Sequence, residues 1–127
     1  MTDIRIEEGT KYIRNHCCSG DTEIKRVYCA SSVREIGVGA FSDCTNLETV
    51  VLNEGLVRLK KEVFSGCTSL KEVHLPETLE SIGEWAFRNC TSLKRLVIPE
   101  NVKEICAEVF LGCDELTIIT AGKTKDQ

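Results

Sequence analysis

Apolar residues return along this chain at a fixed step of 23 positions. Phe41, Phe64, Phe87 and Phe110 keep that spacing, and Cys44, Cys67, Cys90 and Cys113 follow three places behind them. The same step carries Ile24, Leu47, Leu70, Leu93 and Leu116, then Val27, Val50, Val73, Leu96 and Ile119, then Cys29, Leu52, Leu75, Ile98 and Ala121. Two more apolar columns are Val33, Leu56, Leu79, Val102 and Ile13, Ile36, Leu59, Ile82, Ile105. A fixed period of this length marks a repeat architecture, in which each unit is too small to bury its apolar face and depends on its neighbours. The period divides the chain into coils 10–32, 33–55, 56–78, 79–101 and 102–124, and Ile4 with Ile6 marks the last strand of a partial coil before them.

Each coil has its own internal logic. The segment Leu70-Lys-Glu-Val73-His-Leu75-Pro76 alternates apolar and polar over its second half and closes on a proline, which cannot donate to a ladder. This predicts a short half-buried strand, with copies stacked in parallel. Leu79 and Ile82 then supply the apolar side chains of a return segment, and Ala86-Phe87 turns an aromatic ring inward from a tight helical turn. Gly20, Asp43, Gly66, Asn89 and Gly112 form one column of residue types that tolerate positive φ, which predicts a turn. Thr45, Thr68, Thr91 and Asp114 follow, with side chains able to bond a nearby backbone N–H.

The pattern Ile82-Gly83-x-x-Ala86-Phe87-x-x-Cys90-Thr91-Ser92-Leu93-x-x-Leu96-x-Ile98-Pro99 resembles the BspA-like leucine-rich repeat, and the resemblance covers about residues 33–121. It implies a leucine-rich-repeat solenoid, a right-handed superhelix with a parallel β-sheet on one face and short helical turns and strands on the return side. It also implies a binding role, because founding members of the family are described as surface adhesins for host matrix proteins, and it brings no catalytic residues. The first coil departs from the pattern: Cys18 stands where Phe belongs, Asp21 where Cys belongs and Arg14 where Gly is commonest. The expected organisation is one domain over residues 1–127, with 1–32 as an atypical amino-terminal cap and 33–124 as four regular repeats. The tail Gly122-Lys-Thr-Lys-Asp-Gln is too short and polar to cover the last coil, which predicts an open carboxy-terminal edge.

Composition narrows the function. With 42% hydrophobic and 28% charged residues the chain has the balance of a folded domain. Its 16 Lys and Arg against 20 Asp and Glu give a formal charge of −4, which argues against nucleic acid as a partner. The first residues lack a signal peptide, and no stretch approaches the ~18 apolar residues of a membrane span. These features point to a cytoplasmic chain without membrane insertion; a piece of a longer adhesin would sit at the cell surface or be secreted.

The eight cysteines follow the repeat rather than a disulfide or zinc framework. Reduced core cysteines are expected, with pairing between adjacent coils as the alternative. Cys17-Cys18 beside a single His16 does not make a metal site, and no cofactor is expected. No nucleophile–base motif is present; His74 and Glu72 lie two apart on a strand and face the same way, as a solvated pair would. The expected chain is not an enzyme.

Strand alternation decides which side chains leave the core. Arg5, Tyr28, Val51, His74, Val97 and Thr120 form one outward column, and Asp3, Arg26, Thr49, Glu72, Arg95 and Ile118 a second. Apolar and aromatic anchors in a polar rim are the residues that protein interfaces use. The expected binding surface is therefore Tyr28, Val51, His74 and Val97 with Arg26, Thr49, Glu72 and Arg95, offered to a protein, a glycan or a host matrix protein by a monomer or weak self-associator. The same columns also suit a plain solvated sheet, since strands favour β-branched residues. The alternative function is a structural element that self-associates, or docks on a further domain, through the carboxy-terminal edge.

Overall fold

The computed structural model describes residues 3–120, which form a β-solenoid of stacked coils. One side carries β1 (Asp3–Arg5), β3 (Arg26–Tyr28), β5 (Thr49–Val51), β7 (Glu72–His74), β9 (Arg95–Ile98) and β11 (Thr117–Thr120). The return side carries β2 (Tyr12–Ile13), β4 (Glu35–Ile36), β6 (Arg58–Leu59), β8 (Ser81–Ile82) and β10 (Glu104–Ile105). All pairings are parallel, and the return strands form one five-stranded sheet. Partners differ by 23 residues, so Val27 lies beside Val50 and Val50 beside Val73, while Ile36 lies beside Leu59 and Leu59 beside Ile82. Identical columns therefore stack on themselves.

Between the two sides runs the aromatic column. Phe41, Phe64 and Phe87 are fully buried, and the four rings from Phe41 to Phe110 stack at centroid distances of 5.8, 5.5 and 5.8 Å. Those spacings lie in the range favoured by offset aromatic pairs. The cysteine column serves the same stack. Cys67 Sγ donates to the Phe41 carbonyl at 3.1 Å, Cys90 to Phe64 at 3.2 Å and Cys113 to Phe87 at 2.9 Å. Each thiol thus spends its weak donor on the phenylalanine of the coil before, and all eight cysteines are free thiols.

The tight helical turn before each phenylalanine resolves into successive i→i+3 turns, and no helix forms among the described residues. The reason is where the amides point. Phe41 N–H donates to Val63 of the next coil at 2.9 Å, Phe64 to Ala86 at 2.8 Å and Phe87 to Val109 at 2.9 Å, so the donors a helix would use internally join coils instead. Thr91 Oγ1 likewise bonds across coils, to the Thr68 carbonyl at 3.4 Å, rather than to a nearby N–H. The expected positive-φ column is present, with Asp43 at +58° and Asn89 at +61° between Gly20, Gly66 and Gly112. Its alternation has a packing cause, because a Cβ on Gly66 would collide with Asp43 Oδ1, and one on Gly112 with Asn89 Oδ1. A second positive-φ column escapes the sequence reading: His16, Gly39, Glu62, Trp85 and Glu108, between +55° and +61°.

Three departures from strict repetition matter. β7 and β9 adjoin without forming a ladder, so the outer sheet divides into β1-β3-β5-β7 and β9-β11, and Val73 is only half-buried where Val27, Val50 and Leu96 are buried. β11 pairs with β9 one residue out of step: Ile118 lies beside Leu96 and Ile119 beside Val97. Despite the shift Ile119 is the half-buried residue, and Ile118 and Thr120 are exposed, as alternation along the strand predicts. With isoleucine at both positions either register puts one apolar side chain inward, and no following coil among the described residues arbitrates. The third departure lies at the ends. Cys17 and Cys18 are half-buried at the first coil, and Ile105, Leu111 and Ile118 are 47–48% exposed at the last described one. Ala121 and the polar tail lie outside the described residues.

Two stability measurements follow. Phe64→Ala should lose about 3–5 kcal/mol in chemical denaturation by emptying the middle of the ring stack, and Cys18→Ala much less. Glu62→Gly should gain about 1 kcal/mol by relieving a left-handed backbone, whereas Glu62→Val should lose stability.

Candidate functional site

All eight residues expected on the binding surface lie on the strands of one face, β3, β5, β7 and β9. Register brings Arg26, Thr49 and Glu72 into one row and Tyr28, Val51 and His74 into the next. Arg95 and Val97 stand across the break between β7 and β9. Val51 and Val97 are 44% and 42% exposed, while Tyr28 and Thr49 are half-buried. Single β-branched side chains at this exposure are ordinary on a strand. What distinguishes the face is its shape. A groove of about 530 Å³ opens over β5 and β7, lined by Thr49, Val51, Glu72, His74 and Arg95, with Val50 and Val73 beneath. Arg95 closes it on the side where β7 and β9 lack a ladder, and Val73 beneath it is half-buried.

Neighbours modify two of the expected anchors. The Arg5 guanidinium lies 4.3 Å from the centre of the Tyr28 ring, and Arg26 pairs with Asp3 at 3.3 Å. The partial first coil therefore already engages Tyr28 and Arg26, which leaves Val51, His74, Arg95 and Val97 as the freer part of the surface. No hydrogen bond or ion pair joins His74 to Glu72 among the described residues. The groove holds an apolar floor with charges of both signs, and none of its lining residues pairs a nucleophile with a base. Among the described residues no group of three or more His, Cys, Asp or Glu is placed to hold a metal, and no helix is long and apolar enough to cross a membrane.

The turn side carries an element that sequence reasoning missed. Trp85, held at φ +60°, donates its Nε1–H to Glu108 at 2.9 Å, with Lys61 Nζ 5.4 Å and the Arg88 guanidinium 4.8 Å from its ring. These residues come from three consecutive coils, so the tryptophan acts as a surface clasp and its ring is already occupied. The only available signal was the single Trp in a column otherwise filled by His, Gly and Glu. A larger hollow of about 570 Å³ on the return side is lined by Arg34, Glu77, Glu80 and Lys103 among others. It is a valley between rows of long charged side chains, with no convergent chemistry.

Burial keeps the core thiols protonated. It pushes Cys29 up to about 12 and Cys44 to about 11 from an ordinary 9.0, and Cys67 upward as well; Cys90 is raised first by its hydrogen bond with Cys113 and then by burial. A folded-state value above the unfolded one means the stabilisation is complete below pH 9.0 and is lost as pH rises toward 12. Urea unfolding between pH 8 and 11 should show a falling stability, and Cys29→Ala should flatten that fall by up to about 1.4 kcal/mol per pH unit. An unchanged slope in the variant would contradict the assignment.

Comparison with known proteins agrees with this geometry. The profile of the BspA type leucine rich repeat region matches residues 1–124 in six copies, further than the sequence resemblance reached, since it takes in the irregular first coil. Comparison with curated proteins gives no match. A leucine rich cell surface protein from Faecalibacterium prausnitzii has a TM-score of 0.92 at 31% identity, over 97% of this chain and 33% of that one. The leucine rich repeat protein of T. pallidum gives 0.89 at 32%, over 92% and 57%, and one from Bacteroides ovatus 0.83 at 31%, over 93% and 33%. This chain thus spans from a third to just over half of those proteins. Six copies of the repeat and the shared stack of parallel coils place the chain in the BspA type leucine-rich-repeat family.

Proposed function

We propose that this chain is a non-enzymatic interaction module that binds a protein partner through its strand face. The observation that carries the reading is the groove over β5 and β7, where Val51, His74 and Arg95 surround an apolar floor of Val50 and Val73. A partner side chain seated there buries apolar surface at the centre while Glu72, His74 and Arg95 supply a polar rim, the arrangement common to protein interfaces. The partner class is a host matrix protein, or a glycan borne on one, and the site of action is the cell surface; the support is family membership and a relative described as a cell surface protein.

A second reading draws on the open edge. Ile105, Leu111 and Ile118 stand together on the last coil at 47–48% exposure, and such an edge favours docking on a further structural unit.

Binding to immobilised host matrix proteins distinguishes the two. Val51→Lys with Val97→Lys should weaken capture at least tenfold, about 1.4 kcal/mol, with little change in melting temperature, and Lys60→Ala on the return side should leave it intact. Capture that survives the double change and is lost in Leu111→Asp transfers the contact to the carboxy-terminal edge.

A further inference from the structure

Cys17 and Cys18 occupy the place that Ala40-Phe41, Val63-Phe64 and Ala86-Phe87 take in later coils. Their sulfurs lie 3.3 Å apart, both side chains are half-buried, and neither belongs to the cysteine column that stitches the coils. Beside them the amino-terminal edge holds a hollow of about 260 Å³, lined by Cys17 with Ile6, Tyr12, Ile13 and Arg14 among others. A pair of adjacent thiols therefore packs against the core in the first coil, with a hollow open to solvent beside Cys17.

The separation selects among thiol ligands. With a bond to sulfur of about 2.3 Å, two sulfurs 3.3 Å apart subtend about 92° at a shared centre, well under the tetrahedral angle of about 109° that zinc adopts. Linear two-coordinate ions need a far wider bite. A disulfide is also disfavoured: adjacent Cα atoms stand about 3.8 Å apart across a trans peptide, below the usual span of about 4.4–6.8 Å, so the bond would be strained and readily reduced. A pyramidal, three-coordinate, thiophilic centre takes this bite without rearrangement, and its third substituent enters the hollow.

We propose that Cys17 and Cys18 form a dithiol binding site for trivalent arsenic, with preference for an aryl-substituted arsenical. The exchange balances without an oxidant. An arylarsenic(III) oxide, present in water as its dihydroxide, loses two hydroxides as water; the two protons come from the thiols, two As–S bonds replace two As–O bonds, and arsenic stays trivalent. The aryl ring then rests against Ile6, Tyr12 and Ile13. Burial, and then the neighbouring Cys17, push the Cys18 thiol up to about 12, so it enters the exchange carrying the proton that one departing hydroxide takes up.

Titration of the reduced chain with phenylarsine oxide, followed by intact mass, tests the site. One adduct per chain is expected, with loss of one water from the reagent, reversed by ethanedithiol but not by a monothiol. Proteolytic mapping of the wild-type adduct should find Cys17 and Cys18 alone protected from alkylation, which requires no variant to fold. Cys17→Ser should weaken binding by about a hundredfold or more through loss of chelation, whereas Cys106→Ser should not change it. Arsenite without the aryl group should bind more weakly than phenylarsine oxide. Protection of Cys90 and Cys113 instead, undiminished binding in Cys17→Ser, or loss of two hydrogens without adduct overturns the proposal.

Discussion

No coil of this chain has a core of its own, and the structure depends on each coil placing the same side chains at the same height as its neighbours. The phenylalanine stack is where that constraint is met most fully. A ring such as Phe64 is held in three ways: it packs on Phe41 and Phe87, its amide reaches forward to Ala86, and its carbonyl receives the Cys90 thiol. Stacking, hydrogen bonding and burial act on the same residue, so a vertical shift of one coil disrupts all three. This is the nearest-neighbour coupling expected of a solenoid.

The stack also determines what the surface can do. Forward-pointing amides rule out a helix, and the chain instead bends through left-handed residues, four of them in the second column without the benefit of glycine. On the turn side the Trp85 clasp occupies its own cations and acceptor. On the strand side the pleat projects side chains at intervals fixed by the coil spacing, and among the described residues the ladder lapses between β7 and β9. Beside that lapse β5 and β7 carry the groove lined by Val51, His74 and Arg95.

Much of this was legible from spacing alone. A column of Phe or Leu at constant step can only mean stacked burial, and Gly alternating with Asp and Asn identifies one turn. The alternation of Gly66 with Asp43 also encodes contact between coils, but that contact shows only in three dimensions, where the Asp43 carboxylate fills the space a side chain on Gly66 would need. The second turn column was hidden because Glu62, Trp85 and Glu108 are not residues that advertise positive φ; at Glu62 and Trp85 it accompanies amide bonds to the next coil, at Glu84 and Ala107. Within the site, alternation placed Val51, His74 and Val97 outward, since period two needs no tertiary information. The groove was not foreseeable, because Glu72-Val73-His74 and Arg95-Leu96-Val97 read as equivalent strands. Nor was the slip of β11, where Ile118 and Ile119 satisfy either register.

Native-state hydrogen exchange tests the coupling of the coils most directly, because it reads the stability of each one within the intact chain. The account predicts the slowest exchange at the amides of Phe41, Phe64 and Phe87, each buried and bonded to the following coil. Protection should fall through the last coil, at Leu111, Cys113 and Leu116, where the apolar edge is open. Uniform protection from Phe41 to Leu116, or slower exchange in the last coil than at Phe64, would contradict it.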